Sequence, residues 1–259
     1  MENIVVSTFS DARSASDALK VLKELDQLGD ITIYNMVMIR KTGEEHIEFL
    51  YHEGPDTRDL PVAGGAAGAL IGVIGGPIGM ALGMLTGVMI GAIDEDDTDS
   101  FSEDFLNKTG GQLSEGSIAI ILDVEEDNEV MINSYLEPLN GATTRTNIAD
   151  EYDKYDEEQW EELNKQIDDA EHELDHAREE DKAAIKAKIE NLKKKEKERR
   201  EKIKARAAIT KEHLQNKIKE LDQKLKTSDE KLKTKLEAQK EKLGDRLEKL
   251  KQDVAWAFA

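Results

Sequence analysis

The sequence predicts a mixed α+β fold in two parts, a head over residues 1–149 and a long helical tail over residues 150–259. Two observations lead to this division. In the head, short runs rich in β-branched residues alternate with helical patterns. From Asp150 to Leu243 the chain has neither proline nor glycine, and small or apolar residues recur there at intervals of three and four.

The elements of the head are predicted in chain order from these local patterns. Asn3–Phe9 is a β-branched run and predicts the first strand. Ser10 and Asp11 then provide N-cap chemistry for a helix whose apolar positions lie on one face and which ends at Gly29. The remaining predicted strands are Ile31–Lys41, His46–Glu53, Ser117–Val124 and Ala142–Ile148, and the remaining predicted helices are Ser100–Leu113 and Asn128–Leu139.

The order of these elements suggests a particular arrangement of the head. A glycine-rich segment interrupts the order between the third strand and the second helix. Without this insertion, the order is βαββαβ with one additional αβ element, which predicts a ferredoxin-like α/β sandwich. That fold serves many unrelated functions, so it predicts a scaffold and no activity.

The inserted segment, residues 64–93, has no charged residue and contains ten glycines. Each glycine costs a helix about 0.8–1 kcal/mol relative to alanine, so the glycines must be compensated by close packing. They form two ladders at i, i+4 spacing on either side of a Gly-Gly-Pro break, which predicts a glycine-zipper helical hairpin over residues 62–93. The residues predicted to mediate self-association or membrane contact are Gly64, Gly68, Gly72, Gly76, Gly75, Gly79, Gly83, Gly87, Gly91 and Pro77.

Three interpretations of this hairpin stay open. Its arms span roughly 20 and 24 Å, which is shorter than the ~30 Å hydrocarbon core of a bilayer. The hairpin therefore enters one leaflet or a thinned bilayer, or it packs against copies of itself in a soluble oligomer. The third interpretation is a plain flexible loop, which its apolar content disfavours.

Residues in and after the second arm resemble a known family. GGPIGMALGMLTGVMIGAID (75–94) is followed by a Phe-Leu pair at 105–106 and a G-S-x-A strand at 116–119. Together these motifs resemble the domain of unknown function 1269, a family of predicted bacterial membrane proteins, over about residues 60–127. The resemblance implies membrane association or assembly and supplies no catalytic residue. The long tail departs from the usual short members.

The tail carries a narrow apolar stripe and a marked separation of charge. The net charge is −18 over residues 1–149, −13 over 150–181 and +11 over 182–259. The stripe requires a partner, which is another copy, the acidic segment folded back or a membrane surface; the basic end can meet anionic lipid, nucleic acid or its own acidic residues. Thr227-Ser228-Asp229 predicts a break in the helix. Trp256 and Phe258 are predicted to anchor the end of the tail at a membrane interface or in a groove of a neighbouring copy.

Few patterns in the chain point to chemistry. His172-Glu173-Leu174-Asp175-His176 matches H-E-x-x-H, but the motif lies on a charged helical rod without an evident third ligand, so only adventitious metal affinity is considered. The acidic run Asp94–Asp99 offers carboxylate oxygens for a divalent cation, but it lacks the glycine and terminal glutamate of an EF-hand loop, so an acidic cap over a helix start is the preferred interpretation. The absence of cysteine excludes disulfides and thiolate nucleophiles.

We therefore expect a non-enzymatic, self-assembling structural protein that associates with a membrane. The alternative is a soluble homo-oligomeric scaffold or shell protein whose glycine zippers pack against each other. No cofactor, metal or small-molecule substrate is expected, and nucleic acid is an unlikely partner because the lysine-rich run has no interleaved aromatics. The N-terminus does not resemble a signal peptide, so we expect the chain in the cytoplasm or at the cytoplasmic face of the bacterial inner membrane.

Overall fold

A computed structural model describes residues 2–43, 46–54, 78, 79, 81, 82, 85, 113–146 and 148–255. The architecture is mixed α+β, with a five-stranded antiparallel sheet in the head and long helices in the C-terminal part. The predicted helix Ser100–Leu113, except for Leu113 itself, lies outside the described residues, as does most of the glycine-rich segment.

The sheet has the strand order β3-β2-β4-β1-β5, and all four neighbouring pairs are antiparallel. Strands β1 and β4 lie near its centre and are buried on both faces, which their continuous apolar runs explain. The described strands agree with the predicted ones to within a few residues at each end. They are β1 (Glu2–Phe9), β2 (Ile31–Gly43), β3 (His46–Glu53), β4 (Ile118–Glu126) and β5 (Ala142–Thr146).

Two helices cover one face of this sheet. The first, α1 (Ala12–Gln27), begins as predicted at Asp11, whose side chain accepts hydrogen bonds from the backbone N–H groups of Arg13 (3.0 Å) and Ser14 (2.9 Å). The second, α2 (Val130–Leu136), continues into a 3₁₀ turn at Glu137–Leu139. Apolar residues of both helices form one core with alternate residues of the strands, including Ala18, Leu22, Ile132, Leu136, Ile120 and Leu122.

The C-terminal part consists of three helices: α3 (Ile148–His176), α4 (Lys182–Leu225) and α5 (Glu230–Asp253). The predicted break is confirmed, because Asp229 caps α5 by accepting a hydrogen bond from the Leu232 N–H at 2.9 Å. A second break at residues 177–181 has no glycine or proline and follows from no local signal.

Consecutive helices of this part run antiparallel. Lys193 on α4 pairs with Glu171 on α3 at 2.5 Å, and Lys240 on α5 pairs with Asp222 on α4 at 2.6 Å. The acidic α3 therefore folds back on the basic first half of α4, which is one of the three partners expected for the stripe. The apolar residues that meet between α3 and α4 include Ile167, Ala170, Ile185, Ile189 and Leu192.

Candidate functional site

A short part of the glycine-rich segment is described, and it is helical. Ile78, Gly79, Ala81, Leu82 and Leu85 have helical conformation and are all buried. The backbone N–H of Leu113, shortly before β4, donates a hydrogen bond to the Leu85 carbonyl oxygen at 2.6 Å. A helical, buried conformation at these positions does not fit the interpretation of the segment as a plain flexible loop.

The other residues singled out for self-association or anchoring lie outside the described part of the chain. Within the described residues, none of the helices combines the length and apolar character needed to cross a membrane. The residues outside the description are Gly64, Gly68, Gly72, Gly75, Gly76, Pro77, Gly83, Gly87, Gly91, Trp256 and Phe258.

One contact that sequence reasoning did not locate joins the head to the C-terminal hairpin, which we define as residues 214–247 of α4 and α5. Tyr34 of β2 is 5% exposed and packs into the apolar interior of this hairpin. Its hydroxyl donates a hydrogen bond to Glu125 Oε2 at 2.7 Å, and the Arg246 guanidinium lies 5.2 Å from its ring centroid. The hairpin residues of this cluster are Leu214, Leu221, Leu236 and Leu243, with Ile218, Leu225, Leu232 and Leu247 partly buried around them.

Ion pairs surround this apolar contact, and in each the basic side chain belongs to the hairpin and the acidic one to the head. The basic tail thus meets the acidic part of its own chain, one of the surfaces expected for it. Several pairs are shielded from water, so they are screened by salt less than exposed pairs. The pairs are Lys217 with Asp26 and Glu53 (3.5 Å each), Lys235 with Asp30, Lys242 with Glu125 (3.8 Å) and Asp127 (3.0 Å), and Arg246 with Asp123 (3.0 Å).

At the centre of the contact lies a polar cluster formed by Asp26, Glu53, Lys217 and Gln239. The side chain of Lys217 is 14% exposed, and its ammonium group also donates a hydrogen bond to the Ile33 carbonyl oxygen. The ammonium group thus contacts two carboxylates and one carbonyl oxygen of the head, and these charge-assisted contacts hold α4 against the head. The cluster lines a cavity of about 120 Å³.

Gln239 closes the cluster from α5 and is 3% exposed. Its Nε2 donates hydrogen bonds to the Asp26 carbonyl oxygen (2.9 Å), to Asp26 Oδ1 (2.9 Å) and to the Ile31 carbonyl oxygen (3.1 Å). Three acceptors around one nitrogen determine the orientation of the amide. The buried Oε1 has no hydrogen-bond partner among the residues that the structure describes.

Burial and neighbouring charges shift the pKa values of this region. Burial raises the pKa of Asp26 above its ordinary value despite the opposing charge of Lys217. Burial also acts to raise the pKa of Glu53, but the hydrogen bond from the Tyr51 hydroxyl (2.6 Å) and the charge of Lys217 lower it overall. Burial, together with the nearby Lys217 charge, lowers the pKa of His213 to about 4.

The H-E-x-x-H motif lies at the end of α3, outside this cluster. His172 and His176 are exposed, with ring centroids 4.6 Å apart and an angle of 28° between the ring planes. His176 Nδ1 is 3.0 Å from the His172 carbonyl oxygen. The structure brings the two histidines together, but it places neither of them in a folded cleft. The acidic run at 94–99 lies outside the described residues.

The polar cluster was missed because its members are far apart in sequence. Gln239 is one of three polar residues, with Thr210 and Ser228, that fill gaps in the apolar stripe, and a polar residue at such a position indicates a buried hydrogen bond. That signal was present in the sequence, but it did not identify Asp26 or Ile31 as the acceptors. For Lys217, one of many tail lysines, no local pattern distinguishes the buried residue from its exposed neighbours.

Comparison with known proteins gives one match. No curated protein and no solved structure matches the chain. A family model matches residues 61–162, which include the glycine-rich segment, β4, α2, β5 and the start of α3. This model is described as a protein of unknown function (DUF1269), and it confirms the resemblance that the sequence motifs indicated.

Proposed function

We propose that this protein is a non-enzymatic structural protein that self-assembles through its glycine-rich hairpin at the cytoplasmic face of the bacterial inner membrane. The observation that carries the glycine-packing part of the proposal is the helical, buried conformation of the described residues between Ile78 and Leu85. In a buried helix, glycines allow another backbone to approach closely, and this packing compensates for their low helix propensity. The membrane part rests on the uncharged, apolar character of residues 64–93.

Helix geometry relates this burial to the glycine ladder. Successive residues are about 100° apart around a helix, so Ile78, Ala81, Leu82 and Leu85 occupy a face about 100° wide. In the proposed continuous arm, the ladder that includes Gly79 would follow a face roughly 150° away. Gly79 is itself buried, so both faces of this turn are covered. We propose that the apolar face packs inside the head and that the glycine face meets the other arm or another copy.

The proposed scaffold is a ferredoxin-like sandwich with the glycine-zipper hairpin inserted between β3 and β4. The order β2-β4-β1-β5, with every pair antiparallel and α1 and α2 on one face, supports this assignment. Strand β3 would then be an addition at the sheet edge beside β2. This arrangement leaves the inserted segment free to vary in length without disturbing the pairing of β2, β4, β1 and β5.

The C-terminal hairpin has a separate role in this proposal. Its ion pairs and apolar contact with β2 hold it on the head, so the surfaces free for oligomerisation or lipid contact lie on the remaining parts of the tail. We propose that Trp256 and Phe258, just beyond α5, anchor this end at the membrane interface or in a groove of a neighbouring copy.

A second candidate is a soluble homo-oligomeric scaffold or shell protein whose glycine zippers pack only against each other. The specific observation in its favour is that Ile78, Ala81, Leu82 and Leu85 are at most 2% exposed within a single chain. Apolar residues that are already buried inside one protomer do not require lipid to cover them.

Size-resolved fractionation of the intact protein, with and without detergent, tests both candidates. Recovery in the membrane fraction at high salt, with release only by detergent, supports membrane association. A large species that is fully soluble without detergent supports the scaffold. A monomer under both conditions overturns self-assembly.

A matched pair of variants tests the glycine ladder. We expect the double variant Gly83→Leu/Gly87→Leu to shift the assembly to smaller species, because each leucine blocks the approach of another backbone. Val88→Leu on the same arm is the control, and it should leave the assembly unchanged. An assembly that is the same in all three proteins would show that the ladder is not an interface.

A further inference from the structure

We propose that His172 and His176 form a surface site for one divalent transition-metal ion at the C-terminal end of α3. The two residues are four positions apart and therefore lie on the same helix face. Their rings are stacked, with centroids 4.6 Å apart and planes inclined by 28°, so both imidazoles are within reach of one ion. Both side chains are exposed, so an ion reaches them directly from solvent.

A hydrogen bond prepares one of the two rings for metal binding. His176 Nδ1 lies 3.0 Å from the His172 carbonyl oxygen, and a carbonyl only accepts hydrogen bonds, so Nδ1 carries the proton. The neutral ring then has its free lone pair on Nε2. Metal-bound histidines almost always have this second contact, which orients the ring and raises its basicity as a ligand.

The position on the helix also favours a cation. His176 is the last residue of α3, where the unpaired carbonyl groups give the helix end a partial negative charge. The surrounding segment, residues 150–181, carries a net charge of −13. Both effects attract a cation to the two imidazoles and add to the binding energy that the nitrogens supply.

The chemistry of the ligands determines which ions fit. Imidazole nitrogen suits copper, nickel and zinc, whereas magnesium and calcium prefer oxygen. Affinity for a nitrogen site follows the order in which Cu²⁺ exceeds both Ni²⁺ and Zn²⁺. No group of three or more His, Asp or Glu side chains suited to a metal occurs among the described residues, so this part of the chain supplies two ligands and water completes the coordination. This differs from a catalytic zinc helix, which has a third protein ligand and a cleft.

Calorimetric titration of the untagged, intact protein with CuCl₂, NiCl₂, ZnCl₂ and MgCl₂ tests the site. We expect one Cu²⁺ per chain, with weaker binding of Ni²⁺ and Zn²⁺ and none of Mg²⁺ at this site. Loss of an outer-shell partner of a metal-bound histidine alone costs about 10–100-fold in affinity, so His172→Ala and His176→Ala should each weaken Cu²⁺ binding at least about tenfold.

Two controls separate this site from general surface affinity. The double variant Glu173→His/His176→Ala keeps the number of histidines but moves the second one to the adjacent helix position, which faces a different direction. It should bind Cu²⁺ as weakly as His176→Ala does. His46→Ala, which removes an exposed histidine of β3, should bind as the wild type does.

Electron paramagnetic resonance of the Cu²⁺-loaded protein provides the second readout. Nitrogen hyperfine structure from two imidazoles should be present in the wild type and in His46→Ala and should be reduced in either single variant of the pair. Equal Cu²⁺ affinity in wild type and His176→Ala, or wild-type affinity in the moved-histidine variant, overturns the proposal. Circular dichroism establishes that the variants keep their helical content.

Discussion

Replacing Lys217 with methionine should strongly weaken the contact between the C-terminal hairpin and the head. The ammonium group of Lys217 lies 3.5 Å from a carboxylate oxygen of Asp26 and 3.5 Å from one of Glu53. Methionine keeps most of the aliphatic length of lysine but removes the charge. Two neighbouring carboxylates would then remain in a poorly hydrated site without their shared cation.

The expected magnitude follows from burial. The side chains of Lys217 and Asp26 are each 14% exposed, and that of Glu53 is 27% exposed. Removing one partner of a buried ion pair costs about 3–5 kcal/mol, whereas an exposed pair contributes about 0–1 kcal/mol. Because these groups are not fully buried, we expect a loss of about 3 kcal/mol in the free energy of unfolding at pH 7.

The loss should also depend on pH in a defined direction. Burial already raises the pKa of Asp26 above its value in the unfolded chain, and removal of the lysine charge raises it further. The folded variant therefore takes up a proton more readily than the unfolded chain as pH falls. Its deficit relative to wild type should be largest at pH 7 and should shrink towards pH 5.

Urea denaturation followed by far-UV circular dichroism measures this effect at pH 7 and pH 5. Lys211→Met, an exposed position on the same helix, is the matched control and should change stability by no more than about 0.5 kcal/mol. A loss in Lys217→Met below about 1 kcal/mol at pH 7, or a deficit that grows towards pH 5, would refute the reasoning.

Three further changes probe the same contact. His213→Gln should flatten the fall in the free energy of unfolding as pH drops from 6.5 towards about 4, because the pKa of His213 is lowered to about 4 in the folded protein. Over this range the wild type loses at most about 1.4 kcal/mol per pH unit. Denaturation at several pH values measures the slope, and an unchanged slope contradicts the assignment. Gly29→Ala should destabilise the protein by about 1–2 kcal/mol from backbone strain alone, since Gly29 has φ +70° and an added Cβ would lie 3.0 Å from Lys235 Cβ; a thermal midpoint equal to that of wild type would argue against this. Leu236→Ala should cost about 2–5 kcal/mol because Leu236 is fully buried in the hairpin cluster, and Lys231→Ala on the exposed side of α5 is its control.

These predictions concern the contact between the head and the C-terminal hairpin, in which ion pairs join residues that are far apart in sequence. Asp30 and Lys235, for example, are far apart in sequence but form an ion pair beside Gly29, where the chain turns from α1 into β2. The absence of a side chain on Gly29 lets the backbone of α5 approach this turn. The charge asymmetry of the sequence therefore has a structural meaning, since basic residues of the tail neutralise acidic residues of the head.

The described elements of the head could be predicted from the sequence because their signals are local. Asp11 caps α1 through hydrogen bonds to backbone groups two and three residues away. The unbroken apolar run of β4 indicates a strand that is covered on both faces, and β4 is indeed almost entirely buried. The break before α5 was predictable for the same reason, since Asp229 bonds to a neighbour three residues on.

The path of the tail and the members of the polar cluster were decided by tertiary structure. The apolar stripe required a partner, but periodicity does not specify which partner, and the turn at 177–181 has no glycine or proline to mark it. In the structure, α3 pairs with α4 and α4 pairs with α5 in two antiparallel hairpins. These hairpins bury the leucines and isoleucines of the stripe against each other and against Tyr34.

The sequence alone thus predicted the described strands of the head, α1, α2 and the break before α5, because each depends on residues within a few positions of one another. It also displays the glycine ladders and the opposite charges of head and tail. Only the tertiary structure selected Lys217 among the tail lysines and seated Gln239 against Asp26 and Ile31. Burial creates this distinction: a lysine or glutamine becomes structurally important when packing removes water and leaves particular carboxylates and carbonyl groups as its partners.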